Sequence, residues 1–419
     1  MRLVLWVAAL GILGLAVASG HGSAGRHAVI IVGSTDGYLS PCGCTKPMAG
    51  GIRRRITAIR ALSLPGETTV LDNGGLVAGN GRQDEMKAET IAEVMRLVKV
   101  AAINYGVEEA RLGAGMSGAI DRLSGGALLS TGLGGSDSLS AARFKVSGPL
   151  LIGGIDPRRE DAAALVGTPA QKVDDSVAEL LAEAELAGLV PVLMTRGDLD
   201  HAKAIAKDHP KLRLIICSIK SAPLDKPMRV GRTLIVTPGE HGKHVVRIDW
   251  DGKQFVDYQS VSLGPEYRDD PDAARLYSNY LARVGEEDLL SMMPREPTAK
   301  FAGSKACYAC HPREGKVWRD SRHGDALATL EHDGHGRDPD CVACHVVGLR
   351  SIVGFKSRKA TPLLADVGCE SCHGPGRAHV MAPAKNRMPV AGEKSCATCH
   401  VPEHSPGFTF EEYWPKISH

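Results

Sequence analysis

Four copies of the pattern Cys-x-x-Cys-His follow residue 300 of this 419-residue chain. Two thiols one helical turn apart can form thioethers with the two vinyl groups of a haem, and the adjoining imidazole then reaches the iron from the same side. The spacing therefore predicts four covalent c-type haems, with cysteine attachment points and proximal histidine ligands. Motifs 1 to 4 are Cys307, Cys310 and His311; Cys341, Cys344 and His345; Cys369, Cys372 and His373; and Cys396, Cys399 and His400.

Zinc is the alternative cofactor for paired cysteines. Structural zinc sites usually combine two separated pairs of ligands, with the histidines at a distance from the cysteines. Here all four cysteine pairs are followed directly by a histidine. This pattern favours haem over zinc.

The amino end predicts an exported protein. Met1 and Arg2 precede the apolar stretch Leu3 to Val17, and Ala16-Val17-Ala18 has the small residues that signal peptidase requires. We expect a signal peptide at residues 1–18 and a periplasmic mature protein. An uncleaved anchor is the alternative, but the apolar stretch is shorter than the about 20 residues of a comfortable membrane span. No later stretch is long and apolar enough, so we expect no membrane span after cleavage.

Composition and residue usage indicate two domains. A net charge of +2 and a hydrophobic content of 43% are typical of a globular protein and argue against nucleic-acid binding. Eight of the 11 cysteines and ten of the 16 histidines lie after residue 300. We therefore expect a first domain at residues 27–262, a linker with a helix at 273–290, and a haem domain at 301–419.

The first domain alternates short apolar runs with amphipathic ones, which predicts an α/β layered domain. Glycine-rich stretches at 113–118 and 132–135 are expected to be loops, because glycine weakens the interior of helices and strands. The predicted strands are 28–34, 68–71, 98–103, 128–131, 189–195, 212–217, 233–237 and 244–250. The predicted helices are 52–62, 83–98, 172–187 and 199–208.

Residues 27–262 resemble the calcineurin-like metallophosphoesterases, in particular the secreted 5'-nucleotidases. The likeness rests on Gly37-Tyr38-Leu39 after the first strand and Gly50-Gly51-Ile52-Arg53-Arg54 at the first helix. It also includes Val70-Leu71-Asp72 and Thr237-Pro238-Gly239 with Gly242. The resemblance implies a fold whose strand ends hold two metal ions through Asp, His and Asn side chains.

Each expected metal-ligand motif has changed. Asp-x-His is replaced by Ser34-Thr35-Asp36, Gly-Asp by Gly74-Gly75, and Gly-Asn-His-Glu by Gly106-Val107-Glu108-Glu109. Thr-His-x reads Thr195-Arg196-Gly197, and Gly-His-x-His reads Cys217-Ser218-Ile219-Lys220. Two-metal phosphoryl transfer needs both ions in place. We therefore predict that phosphoesterase activity has been lost.

Three thiols remain near these strand ends, which converge on one crevice in an α/β sheet. Cys217 ends an apolar strand, where a cysteine usually acts as a small buried hydrophobic residue. Cys42 and Cys44 lie in the loop after the first strand. Thiolate metal binding, a redox-active bridge and pairing with Cys217 are all open for them.

Residues 301–419 resemble the nitrifier-type tetrahaem cytochromes, which accept electrons from hydroxylamine oxidoreductase. The likeness rests on the runs Asp340–Gly348 and Val367–Arg377, extended by Phe301–Cys307, Trp318 and Ser321-x-His323. The resemblance implies a mostly α-helical, loop-rich multihaem domain with closely packed haems and several irons ligated by histidine on both faces. It does not imply the same electron source.

Six further histidines are available as distal ligands: His323, His332, His335, His379, His404 and His419. The resemblance favours His323 and His379. His335 and His332 are alternatives to one another, and His404 would serve a haem other than the one at His400, or none.

The expected function is electron transfer between redox donor and acceptor proteins. The alternative is a redox enzyme that acts on a small nitrogen or sulfur species at a five-coordinate haem.

Overall fold

The computed structural model describes residues 25–41, 48–134, 139–402, 404–405 and 407–419. Twelve strands within these residues form two six-stranded sheets. The predicted signal peptide and the Cys42–Cys44 loop lie outside the described residues. The strands are β1 (His27–Val32), β2 (Thr68–Asp72), β3 (Ala102–Asn104), β4 (Leu128–Leu129), β5 (Phe144–Ser147), β6 (Leu150–Ile155), β7 (Val190–Thr195), β8 (Leu214–Ile216), β9 (Met228–Val230), β10 (Thr233–Val236), β11 (His244–Trp250) and β12 (Phe255–Ser262).

The first sheet has the order β12-β11-β1-β2-β3-β4 and the second β5-β6-β7-β8-β10-β9. β1 to β4 are parallel, as are β6, β7, β8 and β10, so the carboxyl ends of each set meet at one edge. Apolar residues of both sheets, such as Ile31, Ile152 and Met194, form a core between them. Helices cover the outer faces. The domain is therefore a four-layer α/β sandwich. This confirms the predicted α/β layered fold, whose number of layers the sequence did not indicate.

Among the described residues, nine helices belong to this half of the chain or follow it directly. Helix α8 begins with the N-cap Asp270 and a proline at its first turn, and it buries Tyr277 and Tyr280 in the same core as α1 and α2. The helices are α1 (Ile52–Leu62), α2 (Arg82–Arg96), α3 (Val107–Ala110), α4 (Ala114–Ser124), α5 (Arg159–Val166), α6 (Val173–Ala187), α7 (Leu199–Asp208), α8 (Pro271–Glu286) and α9 (Leu289–Met292).

One prediction from local pattern is wrong, and some strands, β6 among them, were not predicted. The stretch 113–118, predicted as a loop, contains the start of α4, which buries Ile120 against the helical layer. The stabilisation from burying apolar residues of α4 outweighs the low helix propensity of its two glycines. Strand β6 was not predicted because Gly153 and Gly154 interrupt its apolar run. A Cβ on Gly154 would lie 2.4 Å from Asn104 Oδ1, so neighbouring side chains need the space.

The region after residue 300 is built of short helices and loops, as predicted. Only eight of its described hydrophobic residues are buried, and most of them form a small cluster around Phe355. Its elements are α10 (Ser304–Tyr308), α11 (Pro312–Asp320), α12 (Ala326–His332), α13 (Pro339–His345), α14 (Cys369–His373), α15 (Arg377–Met381), α16 (Glu393–Cys396) and α17 (Phe410–Tyr413), with 3-10 helices at Arg322–Asp325, Pro362–Leu364 and Trp414–Lys416.

Candidate haem-binding site

Each Cys-x-x-Cys-His motif forms a single helical turn. Motif 2 lies within α13 and motif 3 within α14. In motif 1 the His311 amide donates to the Cys307 carbonyl at 2.9 Å, and in motif 4 His400 does the same to Cys396 at 2.9 Å. One turn brings both thiols and the imidazole of a motif to the same side of the backbone. All four motifs therefore have the local geometry that haem attachment requires.

Three of the motif histidines face a second imidazole. The ring centroids are 6.3 Å apart for His311 and His379, 6.2 Å for His323 and His400, and 5.8 Å for His373 and His419. A metal–nitrogen bond of about 2.0 Å plus about 1.1 Å from that nitrogen to the ring centre gives about 6.2 Å across one iron. The spacing in all three pairs fits one iron between two imidazoles.

Hydrogen bonds orient these rings for ligation. The Nδ1 atoms of His345, His373 and His379 lie 2.7, 2.9 and 2.7 Å from backbone carbonyl oxygens. A carbonyl only accepts, so Nδ1 carries the proton and Nε2 has a free lone pair for a metal. Burial lowers the pKa of His323 and of His400, which favours the neutral ring that ligation requires.

Motif 2 differs from the other three. Its His345 donates from Nδ1 to the Ala326 carbonyl. Among the ring contacts of the described residues, no second imidazole faces His345. Within the described residues, a second imidazole thus faces the histidine of motifs 1, 3 and 4 and none faces that of motif 2.

Neighbouring thiols show how the motifs are ordered in space. The Cys369 amide donates to Oγ of Ser304, in the helix that leads into motif 1, at 3.1 Å, which places motif 1 beside motif 3. Cys344 lies next to Cys399, which places motif 2 beside motif 4. Ser395 in α16 donates to the Cys372 carbonyl at 3.3 Å, which joins motifs 3 and 4. The spatial order is 1, 3, 4, 2.

An open cavity of about 2570 Å³ is lined by residues of both halves of the chain. Ordinary small-molecule pockets measure about 300–1,000 Å³, so this space is larger than a single such group requires. The complete motifs 2 and 4 line it, together with His373 and His419. The region has few buried apolar side chains with which to build a core. Haem is a large apolar group and would supply these contacts.

The remaining predicted ligands, His335 and His404, also line this cavity, but neither faces a motif histidine among the described ring contacts. His335 approaches Asp338 and Cys341, with ligand atoms of all three residues within 4.8 Å of one another. The His404 ring lies 6.0 Å from the ring of Tyr38 in the α/β domain. His332 is exposed at the end of α12.

His419 was not selected from the sequence, although it was among the six further histidines. No local spacing links it to His373. The count of histidines was the only available signal.

A guanidinium joins the positions where the phosphoesterase resemblance places metal ligands. Arg196 follows β7, and its Nη1 donates to Ser34 Oγ at 3.1 Å, the Gly74 carbonyl at 3.2 Å and Ser218 Oγ at 3.1 Å. A Cβ on Gly75 would lie 2.4 Å from Arg196 Nη2, so an aspartate there and this arginine exclude each other. The residues present do not fit a two-metal centre.

The acidic residues of this rim are held by cations and amides. Arg158 donates to both carboxylate oxygens of Glu108, at 2.8 and 2.9 Å. Burial raises the pKa of Glu109 to about 7, and its oxygens accept from the Leu76 and Gly106 amides. Burial also raises the pKa of Asp36, partly offset by Arg196. The carboxyl groups of Glu108, Glu109 and Asp36 are therefore not arranged as the ligands of a metal centre.

Cys217 is fully buried in the apolar cluster between the second sheet and its helices, and burial raises the pKa of its thiol to about 12. This confirms the interpretation of Cys217 as a small core residue. The open alternatives for Cys42 and Cys44 lie outside the described residues.

The α/β domain contacts the haem region at the segment that leads into motif 2. Lys87 of α2 forms an ion pair with Asp340, and Gln83 donates to Asp338 Oδ1 at 2.7 Å. The Tyr277 hydroxyl lies 3.4 Å from both ring nitrogens of His335. Burial alone would lower the pKa of Lys87, but Asp340 more than offsets this, and the pKa is raised.

These features define a c-type cytochrome domain joined to a 5'-nucleotidase-like α/β domain. Residues 306–374 match the family model of cytochrome c554 and c-prime. Cytochrome c-554 of Nitrosomonas europaea is 36% identical over 94 residues, which cover 19% of this chain and 40% of that protein. The chain thus spans less than half the length of this curated relative. The matches support covalently bound haem and haem-based electron transfer in the C-terminal region.

Solved structures resemble the α/β domain in fold. The 5'-nucleotidase precursor of Thermus thermophilus superposes with a TM-score of 0.53 at 15% identity, covering 74% of this chain and 68% of that chain. The sulfate thiohydrolase SoxB of the same organism gives 0.51 at 15% identity, with 68% of each chain covered. A putative 5'-nucleotidase of Staphylococcus aureus gives 0.52 at 14% identity, with 74% and 66% covered. At these identities the likeness concerns the fold alone.

Within the described part of the chain, no helix combines the length and apolar character that crossing a membrane requires.

Proposed function

We propose that this protein is a periplasmic electron-transfer protein with four covalently attached c-type haems. The observation that carries the proposal is the pairing of imidazoles at the spacing of one iron, beside attachment turns that each supply two thiols. Haem iron supplies reversible one-electron chemistry. The chain's own residues would hold the haems in place and determine their order.

The axial ligands follow from the three pairs. His311 with His379, His400 with His323, and His373 with His419 would each bind one iron from its two faces. Two imidazole ligands complete the coordination of the iron and leave no site for a substrate. This arrangement favours electron transfer over catalysis at motifs 1, 3 and 4.

The contacts between motifs support a row of haems in the order 1, 3, 4, 2. The haem at motif 1 would be at one end of this row. The haem at motif 2, beside the α/β domain, would be at the other end. Electrons would enter and leave through proteins that dock near these ends. The α/β domain would serve docking or regulation and not hydrolysis, because Arg196 occupies its former metal site.

A redox enzyme is the second candidate, and His345 favours it, because no imidazole of the described residues faces its ring. An iron with a single axial imidazole has an open position, where a small nitrogen or sulfur species could bind. Nitric oxide added to the purified protein separates the two functions. Binding at one iron followed by turnover of the bound species supports an enzyme, whereas binding without turnover supports the carrier.

Intact mass of the mature protein under denaturing conditions tests the main proposal. We expect the apoprotein mass without residues 1–18 plus four haems. Replacing both cysteines of one motif with alanine should remove one haem, whereas Cys217→Ala, in the α/β core, should remove none. Fewer than four haems, or bound zinc, contradicts the proposal.

A further inference from the structure

The contact between the two domains is concentrated on one haem motif. Three side chains of the α/β domain, Lys87, Gln83 and Tyr277, contact the segment from His335 to Asp340. Cys341 comes directly after this segment and begins the attachment turn of motif 2. These three contacts therefore place the α/β domain against the environment of the motif-2 haem.

Lys87 is the most constrained of the three side chains. Its side chain is 11% exposed, on a helix whose neighbouring residues form the core of the α/β domain. A buried ammonium group is costly unless it is paired. A Cβ on Gly37, which has a φ of +82°, would lie 3.4 Å from Lys87 Nζ. The backbone of the Gly37-Tyr38-Leu39 turn thus leaves room for the ammonium group.

Asp340 is the partner of Lys87 and the neighbour of Cys341. A carboxylate next to an attached haem stabilises the ferric iron more than the ferrous iron, because the ferric form carries one more positive charge. An ammonium paired with that carboxylate cancels most of this effect. Partial burial strengthens both interactions, because the effective dielectric constant is lower than in water.

We propose that Lys87 of the α/β domain belongs to the environment of the motif-2 haem and keeps its reduction potential high by neutralising Asp340. The fused domain would in this way determine the direction of electron flow at the end of the haem chain that it covers. This inference rests on the proposed function, since it requires a haem at motif 2.

Redox titration of the full-length holoprotein, followed by visible absorption, tests the sign of the effect. Lys87→Met should lower the potential of one haem, because Asp340 is left uncompensated. Asp340→Asn should raise the potential of the same haem. The double variant should return close to the wild-type value, and Lys87→Arg should retain it.

Arg82→Met is the matched control. Arg82 lies on the same helix, but its ion pair with Glu287 is at the surface, with side chains 37% and 35% exposed. The variant Arg82→Met should leave the reduction potentials of all haems unchanged. Asp340 is 58% exposed, so Asp340→Asn keeps the test valid even where Lys87→Met disturbs folding.

Two results would overturn the inference: potentials that do not move in Lys87→Met and Asp340→Asn, or shifts of the same sign in both. Haem content separates this failure from that of the proposed function. Four haems with unmoved potentials refute only the role of Lys87. Fewer than four haems refute the proposed function itself.

Discussion

Removal of the His419 imidazole is the most direct test of the ligand pairs. His419 follows the 3-10 helix Trp414–Lys416 and is exposed, so His419→Ala should not disturb the fold. Its ring centre is 5.8 Å from that of His373, against about 6.2 Å for two imidazoles on one iron. The difference is small enough to be closed by a slight shift of the exposed His419 side chain.

The size of the effect follows from the number of irons. His419→Ala should convert one of four irons from low-spin to high-spin and leave the other three unchanged. The reduction potential of the converted iron should rise, because a ligand that favours the ferric state has been removed. Electron paramagnetic resonance of the oxidised protein measures the spin states, and a redox titration measures the potential.

His332→Ala is the control, since His332 is exposed and none of the described ring contacts places an imidazole opposite it. Combining His419→Ala with His379→Ala should convert two irons, because the two residues belong to different pairs. An unchanged spectrum in His419→Ala would refute the argument from ring spacing, and His335 or His404 would then become the candidates.

Three further predictions concern the α/β domain. Added manganese, zinc or iron should not produce phosphodiesterase or nucleotidase turnover in the full-length protein, because Arg196 fills the former site; metal-dependent hydrolysis would contradict this. Cys217→Ser should lower the free energy of unfolding by about 1–3 kcal/mol, because it buries a hydroxyl among apolar side chains, and should leave haem content unchanged. Burial lowers the pKa of His27 from 6.5, so the unfolded chain binds more protons and stability is lost as pH falls below 6.5. Urea unfolding at pH 7.5 and 5.5 should show a smaller loss in His27→Gln; an equal loss in both proteins would show that His27 does not contribute.

The sequence by itself determined the features that depend on local spacing. Attachment of a haem needs two cysteines and a histidine within five residues, and one helical turn is enough to present them. For the same reason the apolar periods of α1 and β11 predicted Ile52–Leu62 and His244–Trp250 with correct bounds. The loss of the metal ligands could also be read directly, since each expected motif has a fixed position after a strand.

Tertiary structure decided which distant residues meet. His419 and His373 are brought together only by the path of the chain through short helices and loops, which have no periodic pattern to predict. Arg196 follows β7 of the second sheet and reaches Ser34 and Gly74, which follow β1 and β2 of the first sheet. Its position at the expected metal-ligand positions therefore depends on how the two sheets pack and not on the order of strands within either sheet. The contact of Lys87 with Asp340 joins the two domains. The buried ammonium group of Lys87 needs a negative partner, and Asp340 of the haem domain provides it.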